Sequence, residues 1–268
     1  MQWTFLGYNG YGKQKKISWR AKHFVLVHGL GHGAWFWYKL KPLVESAGHR
    51  VTTVELAASG INMEAIQDVG TFHKYTKPLL ELLASNPPIE KVIVGVQSLG
   101  AVNLALAMDE FPHKISVGVF LTAVMPDTTH QPSYVIDKSL AEFPQDMLLD
   151  NQFATIDSPE NPFTITLWAW GPKFLASNLH QLSPVEDLVL AKALVRPGSL
   201  FVSDLSKADK FSDEGYGCVP RVYVVCNEDK VIKEKTQRWM IENFEINDVI
   251  EIKDADHIGN VLKATGIL

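Results

Sequence analysis

Three side chains of the kinds used in nucleophilic catalysis stand at the ends of β-branched runs. Ser98 closes KVIVGVQS, Asp229 follows RVYVVC, and His257 follows DVIEIK through Asp254-Ala255-Asp256. A serine hydroxyl is a poor nucleophile until a base takes its proton, and an imidazole needs a carboxylate to fix its tautomer. Each residue alone has an ordinary reading: Ser98 as a helix N-cap, Asp229 as a solvated turn acid, His257 as a surface or core histidine. Taken jointly, in the order Ser, Asp, His at successive strand ends, they predict a catalytic triad for acyl transfer.

Ser98 passes directly into Leu99 to Glu110, an apolar segment of good helix formers. A sharp strand-to-helix turn of this kind lifts a serine above a sheet, and the positive end of the helix faces any charge that develops there. Upstream, HFVLV leads into His28-Gly29-Leu30-Gly31-His32-Gly33, where small residues let backbone N–H groups approach a substrate oxygen. This glycine spacing matches neither a dinucleotide fingerprint nor a phosphate loop. His28 and His32 lack a third ligand at suitable spacing, so no metal is expected.

The elements that must hold these groups alternate strand with helix. Strands are expected at His23 to Gly29, Arg50 to Leu56, Lys91 to Val96, Ile115 to Leu121, Arg221 to Cys226 and Asp248 to Lys253. Helices are expected at Trp35 to Ala47, Tyr75 to Ala84, Leu99 to Glu110 and Lys235 to Asn243. The strands are nearly continuous apolar runs, as in sheets covered on both faces. The fold class is therefore α/β. Alternation breaks between about Pro126 and Lys210, a stretch with a helix-like piece at Pro184 to Leu194 and the aromatic residues Phe163, Trp168, Trp170 and Phe174. So long an insertion predicts a lid over the carboxyl ends of the strands, where open α/β sheets bind ligands.

Composition narrows the function. The 268 residues carry 25 Lys+Arg against 30 Asp+Glu, a net charge of −5, and 46% are apolar. Nothing here favours nucleic acid or an anionic membrane as the main partner, and no apolar run approaches the roughly 20 residues of a membrane span. Two cysteines suit a reducing compartment, which points to the cytoplasm. Residues 1–22 form a basic extension with Lys13, Lys15, Lys16, Arg20 and Lys22 and no acid. They have no apolar core of a secretory signal, are expected to be disordered, and leave organellar targeting open.

The ordered segments HFVLVHG, AWFWYKLKPLVESAGHRVTTVELAASGIN, the serine segment, MPDTTHQPSYV, ALVRPGSLF, FSDEGYG, VYVVCNEDK and IKDADH resemble the plant methylesterase and hydroxynitrile lyase family of α/β-hydrolases from about His23 to His257. The resemblance implies one hydrolase domain over 23–268: a mostly parallel central sheet with helices on both faces and a helical cap, about 126–210, inserted after the sixth-strand region. It implies no cofactor and a small ester substrate, such as the methyl esters of salicylate, jasmonate or indole-acetate, with a homodimer left open. It maps the nucleophile to Ser98, the acid to Asp229, the base to His257, and the oxyanion donors to the backbone N–H groups of Leu30 and Leu99.

Three departures qualify the resemblance. Lyases of the family carry Thr or Asn where this chain has Gly29, and one branch has Lys where Ile258 stands, so ester hydrolysis is expected over cyanohydrin cleavage. The usual Gly-x-Ser-x-Gly-Gly elbow reads Val96-Gln97-Ser98-Leu99-Gly100-Ala101, where a branched Val96 predicts overpacking and weakened activity. Past His257 only Ile258 to Leu268 remains, where relatives continue with a helix, and this predicts low solubility or a partner chain on the bare face. A degenerate small-ligand binder and a hydroxynitrile lyase are the alternatives.

Overall fold

The computed structural model describes residues 21–159 and 161–259. Most of the basic extension and the last nine residues therefore lie outside the described residues. Six strands, β1 (His23–Val27), β2 (Arg50–Val54), β3 (Val92–Gln97), β4 (Ile115–Leu121), β8 (Arg221–Cys226) and β9 (Asp248–Ile252), form one sheet in the order β2-β1-β3-β4-β8-β9. Every pairing in it is parallel, so all carboxyl ends meet at one edge. All six expected strands form: β1, β2 and β9 end one or two residues early, β3 is shifted by one residue, and β4 and β8 match.

The expected helix at Trp35 to Ala47 is two pieces, a 3₁₀ turn at Ala34–Trp37 and α1 (Leu40–Ser46). Pro42 explains the break: its ring would clash with the carbonyl of Tyr38 in a continuous helix, but fits the first turn of a new one. A single turn, α2 (Ile66–Val69), precedes α3 (Phe72–Ser85), whose N-cap Thr71 accepts a hydrogen bond from the Lys74 N–H. Then come α4 (Gly100–Glu110) after β3 and, near the end, α9 (Glu234–Asn243) after β8.

The helices divide unequally between the two faces. The apolar stripes of α3, α4 and α9 bury Val94, Phe120, Tyr223 and Val225 in the main core. On the opposite face, α1 covers the β1–β2 side and cap residues Phe174, Leu175 and Leu179 reach the carboxyl ends of the strands. Among the described residues no helix lies over the middle of that face, and Ile93, Val117, Val119 and Val222 are only half-buried. Ile93, Val119 and Val222 alternate with neighbours that are enclosed on the helical side.

The insertion between β4 and β8 contains α5 (Tyr134–Ala141), the hairpin β5 (Gln152–Ser158) and β6 (Asn161–Ala169), α6 (Pro172–Phe174), α7 (Val185–Leu194), β7 (Gly198–Ser199) and α8 (Val202–Leu205). The expectation of a helical cap thus gains a three-stranded antiparallel sheet, β5-β6-β7. Thr164 and Thr166 alternate with Ile165 and Leu167 along β6, the period-two pattern of a half-exposed strand.

Arg196 fastens the cap to the body. Its backbone N–H donates to Gly31 O at 2.9 Å, and its guanidinium donates to the carbonyls of Gly60, Asn62 and Glu64. Hydrogen bonds from a charged donor contribute about 1.5–3 kcal/mol each when well shielded, less at a half-buried site. Arg196→Met is expected to lower stability by about 2 kcal/mol, measured by urea unfolding, and to expose residues 60–64 to protease nicking.

Candidate active site

The site lies where β1, β3, β8 and β9 end. Ser98 has φ +54°, the left-handed region that costs a non-glycine residue about 1–3 kcal/mol and that a sharp strand-to-helix turn requires. The turn is tight: a Cβ on Gly100 would lie 2.8 Å from His28 O and 3.4 Å from the Cβ of Val96. Glycine is therefore needed at position 100. Val96 is held as an ordinary strand residue between Val27 and Phe120, fully enclosed, one residue before the end of β3.

The three expected residues come together. Ser98 Oγ lies 3.0 Å from His257 Nε2, and His257 Nδ1 lies 2.8 Å from Asp229 Oδ2. With the carboxylate accepting at Nδ1–H, Nε2 is left as the acceptor facing the serine hydroxyl. Asp229 is 4% exposed, and its burial as an anion is offset by further donors. Oδ1 accepts from the N–H groups of Val231 at 2.7 Å and Ile232 at 3.0 Å, and Oδ2 accepts from the Thr122 hydroxyl.

The peptide units of Leu30 and Leu99 are oriented from their carbonyl ends. Gly29 O accepts from His28 Nδ1 at 2.9 Å and from His32 N–H at 3.3 Å. Because the N–H and C=O of a trans peptide point in opposite directions, this turns the Leu30 N–H away from both donors. In the same way Ser98 O accepts from Ala101 and Val124, each at 3.2 Å, and the Leu99 N–H points opposite. Among the described residues neither Leu30 N–H nor Leu99 N–H donates to a protein acceptor, and both residues line the cavity above Ser98. Two parallel donors beside a nucleophile can hold an oxyanion.

Several residues were not apparent in the sequence. Gln97, 1% exposed, donates from Nε2 to His257 O at 2.9 Å and so ties the serine turn to the histidine loop. Its Oε1 occupies the space that a Cβ on Gly29 would need, and that Cβ would also sit 2.9 Å from Ser98 Cβ. Position 29 therefore has no room for the Thr or Asn of a lyase. Asp256 accepts from Leu182 N–H and Ser183 Oγ, both at 2.9 Å, and from Ile258 N–H at 3.2 Å, pinning the histidine loop to the cap. Burial raises the Asp256 carboxyl above the usual aspartate range. The bonds from Gln97 to His257 and from Leu182 and Ser183 to Asp256 each join residues more than 70 positions apart, which hides them from spacing arguments.

A cavity lies directly over Ser98 and His257. Leu30, Ile136, Phe143, Trp168, Phe174 and Ile232 give it an apolar wall, and it has no Lys, Arg, Asp or Glu among its lining residues. Such a wall suits a neutral, hydrophobic guest and disfavours an ionised one. Among the described residues no three His, Cys, Asp or Glu side chains cluster as metal ligands would, and no helix is long and apolar enough to cross a membrane.

Comparison with known proteins agrees with this architecture. The alpha/beta hydrolase family profile matches residues 24–263. Methylesterase 1 of Arabidopsis thaliana is 54% identical over 240 residues, covering 89% of this chain and 90% of its own. An alpha-hydroxynitrile lyase of the same organism is 54% identical over 239 residues, with coverage of 89% and 91%. The crystal structure of polyneuridine aldehyde esterase, a protein of Rauvolfia serpentina, superimposes with a TM-score of 0.88 at 50% identity, covering 92% of this chain and 96% of that one.

Two outcomes are expected from this geometry. Removing the Gln97 bond by Gln97→Ala leaves His257 O without its donor, a loss of about 1 kcal/mol of positioning. Steady-state kinetics should then show kcat down roughly fivefold with KM nearly unchanged, because the bond acts on geometry and not on substrate. The second outcome concerns pH. Burial depresses the His28 and His32 imidazoles from 6.5 to about 4, and His180, which has neither ring nitrogen paired, to about 3. The unfolded chain takes up these protons below about 6.5 and the folded chain refuses them. Their contribution is thus complete above pH 6.5 and lost as pH falls toward 4, at up to about 1.4 kcal/mol per pH unit for each histidine. Urea midpoints across pH 7 to 4 should fall steeply and flatten when His28 and His180 are replaced by asparagine.

Proposed function

We propose that this chain, which belongs to the alpha/beta hydrolase family, is a carboxylic ester hydrolase that cleaves methyl esters of small apolar acids. The observation that carries the reading is the unbroken path from Ser98 Oγ through His257 to Asp229, set beneath a neutral apolar cavity. The methylesterase among its relatives supports the methyl group as the leaving portion. Its uncharged wall of aliphatic and aromatic side chains is in keeping with compact hormone-type acyl groups such as salicylate, jasmonate and indole-acetate.

The steps follow from the groups present. Ser98 Oγ adds to the ester carbonyl carbon as His257 Nε2 takes the hydroxyl proton. The carbonyl π pair moves onto oxygen, and the Leu30 and Leu99 N–H groups stabilise that oxyanion. Asp229 holds the imidazole tautomer and stabilises the imidazolium. Collapse of the intermediate expels methanol, which leaves with the proton from Nε2, and an acyl ester remains on Ser98. Water then adds with His257 again as base, Ser98 recovers its proton, and the free acid is released. Once ionised, that acid meets no cation in the cavity wall, which favours its departure.

Cyanohydrin cleavage is the less supported alternative. Position 29 has no space for a hydroxyl-bearing side chain, and Ile258 supplies no ammonium for departing cyanide. Both cysteines are free, in keeping with a reducing compartment such as the cytoplasm.

Labelling with a fluorophosphonate probe, followed by hydrolysis assays on methyl salicylate, methyl jasmonate and methyl indole-acetate, tests the reading. Turnover of at least one ester is expected, with labelling and turnover both reduced at least ~10³-fold by Ser98→Ala. A chain that binds the free acids but takes up no probe is a ligand binder and ends the proposal. Cyanide release from mandelonitrile without ester turnover ends it in favour of a lyase.

A further inference from the structure

The wall of the catalytic cavity has few polar side chains, and among the described residues all but one are committed to a partner. Ser98 and His257 bond to each other, the Ser139 hydroxyl donates to Val135 O at 2.8 Å, and the Trp170 indole donates to Leu30 O at 3.1 Å. The exception is Trp168. Its Nε1–H is buried and meets no acceptor among the described residues. Trp35 and Trp37 also keep unpaired indole N–H groups, but neither borders this cavity.

Trp168 lies in β6 and Trp170 just past its end, two positions on, and both rings line the cavity. One ring fastens the cap to the body through its N–H, while the other has that same group available. The Trp168 ring is held in place. Phe153, its partner across the β5–β6 ladder, packs edge-on with centroids 4.8 Å apart, and the Trp170 ring lies 5.3 Å away. Only 9% of Trp168 is exposed. Native proteins hold few buried donors without a partner, because each forfeits its bonds to water. In the wall of a ligand cavity the ligand can supply the acceptor.

We propose that Trp168 is a specificity-determining residue whose indole N–H takes an acceptor oxygen on the acyl group, a ketone or ether oxygen on the part of the acid that reaches the cap. The proposal rests on the ester-hydrolase reading and narrows its substrate class. The rest of the wall is aliphatic and aromatic, so an apolar frame bearing one such oxygen satisfies both the wall and the donor. A pure hydrocarbon acid leaves the donor bare. Sites built to hydrogen-bond one group reject the analogue that lacks it far more strongly than an apolar pocket rejects a change of one methylene. Of the hormone-type esters, methyl jasmonate carries a ring ketone that fits this requirement. Methyl indole-acetate has only an N–H donor beyond its ester, and the hydroxyl of methyl salicylate bonds internally to the neighbouring ester carbonyl.

A matched pair of esters tests the proposal: methyl jasmonate and its deoxo analogue, in which a methylene replaces the ring C=O. The deoxo ester is the more hydrophobic, so an apolar wall alone favours it and only a donor favours the ketone. In the wild-type chain kcat/KM is expected to favour the keto ester about tenfold. Replacing Trp168 by benzothienylalanine, an isostere with sulfur in place of the indole N–H, is expected to bring the ratio to one or below, and Trp168→Phe to do the same. Fluorophosphonate labelling reports whether each variant is folded. A second measurement needs no change at Trp168. In ¹⁵N-labelled Ser98→Ala protein, which leaves the esters intact, the Trp168 indole N–H resonance is expected to move downfield with the keto ester and not with the deoxo ester. Equal or better turnover of the deoxo ester by the wild type, a keto preference that survives in the variants, or the same indole response to both esters overturns the proposal and leaves the ester-hydrolase reading standing. A wild-type chain that neither takes up the probe nor turns over any ester ends that reading, and this proposal with it.

Discussion

A buried carboxylate is the constraint around which the site is built. Asp229 is enclosed, so its charge is tolerable only while enough donors face it, and these come from separate parts of the chain. The turn after β8 supplies two N–H groups, the bend after β4 supplies the Thr122 hydroxyl, and the loop after β9 supplies His257. Satisfying one anion therefore fixes three strand ends relative to each other. Thr122 adopts φ +37°, which marks how closely the backbone bends to deliver its hydroxyl. The serine is then placed by β3, whose parallel register with β1 and β4 brings its end to the same edge.

The two backbone N–H groups proposed to hold the oxyanion are set by a related principle. Neither N–H is held directly; each is aimed by what its own carbonyl accepts. His28 does this for Leu30 while remaining neutral, because its Nδ1–H is committed to Gly29 O and its Nε2 accepts the Leu56 N–H. Burial lowers its pKa and so keeps the ring in the neutral form in which Nε2 can accept. His32 similarly donates to Leu30 O, which also accepts from the Trp170 indole in the cap.

The sheet was legible in the sequence because its strands are unbroken β-branched runs with a serine, an acid and a histidine at their ends. The cap was legible only as an interruption. Its β5–β6 hairpin has the threonine alternation of a half-exposed strand, but Pro162 and the aromatic residues beside it mask the pattern. At the serine turn, local sequence drew attention to Val96. A branched residue beside the serine suggested crowding, yet the contact that governs the turn is between Gly100 and the end of β1. Gln97, Thr122 and Asp256 were invisible for a plainer reason. Each acts through a partner more than 70 positions away, and nothing in local periodicity encodes such a partner.

The bonds joining cap and body have a bearing on molecular traffic. Trp170 holds Leu30 O, Arg196 clasps the 60–64 loop, the turn at Leu182 and Ser183 is pinned by Asp256, and Glu142 accepts from Thr236. A roof fastened at so many corners does not swing open as one piece. Guests must pass between side chains, and Leu140, 38% exposed while bordering the cavity, stands at such a doorway. Selection then begins at the threshold, by girth and stiffness, before any bond to the ester is tested.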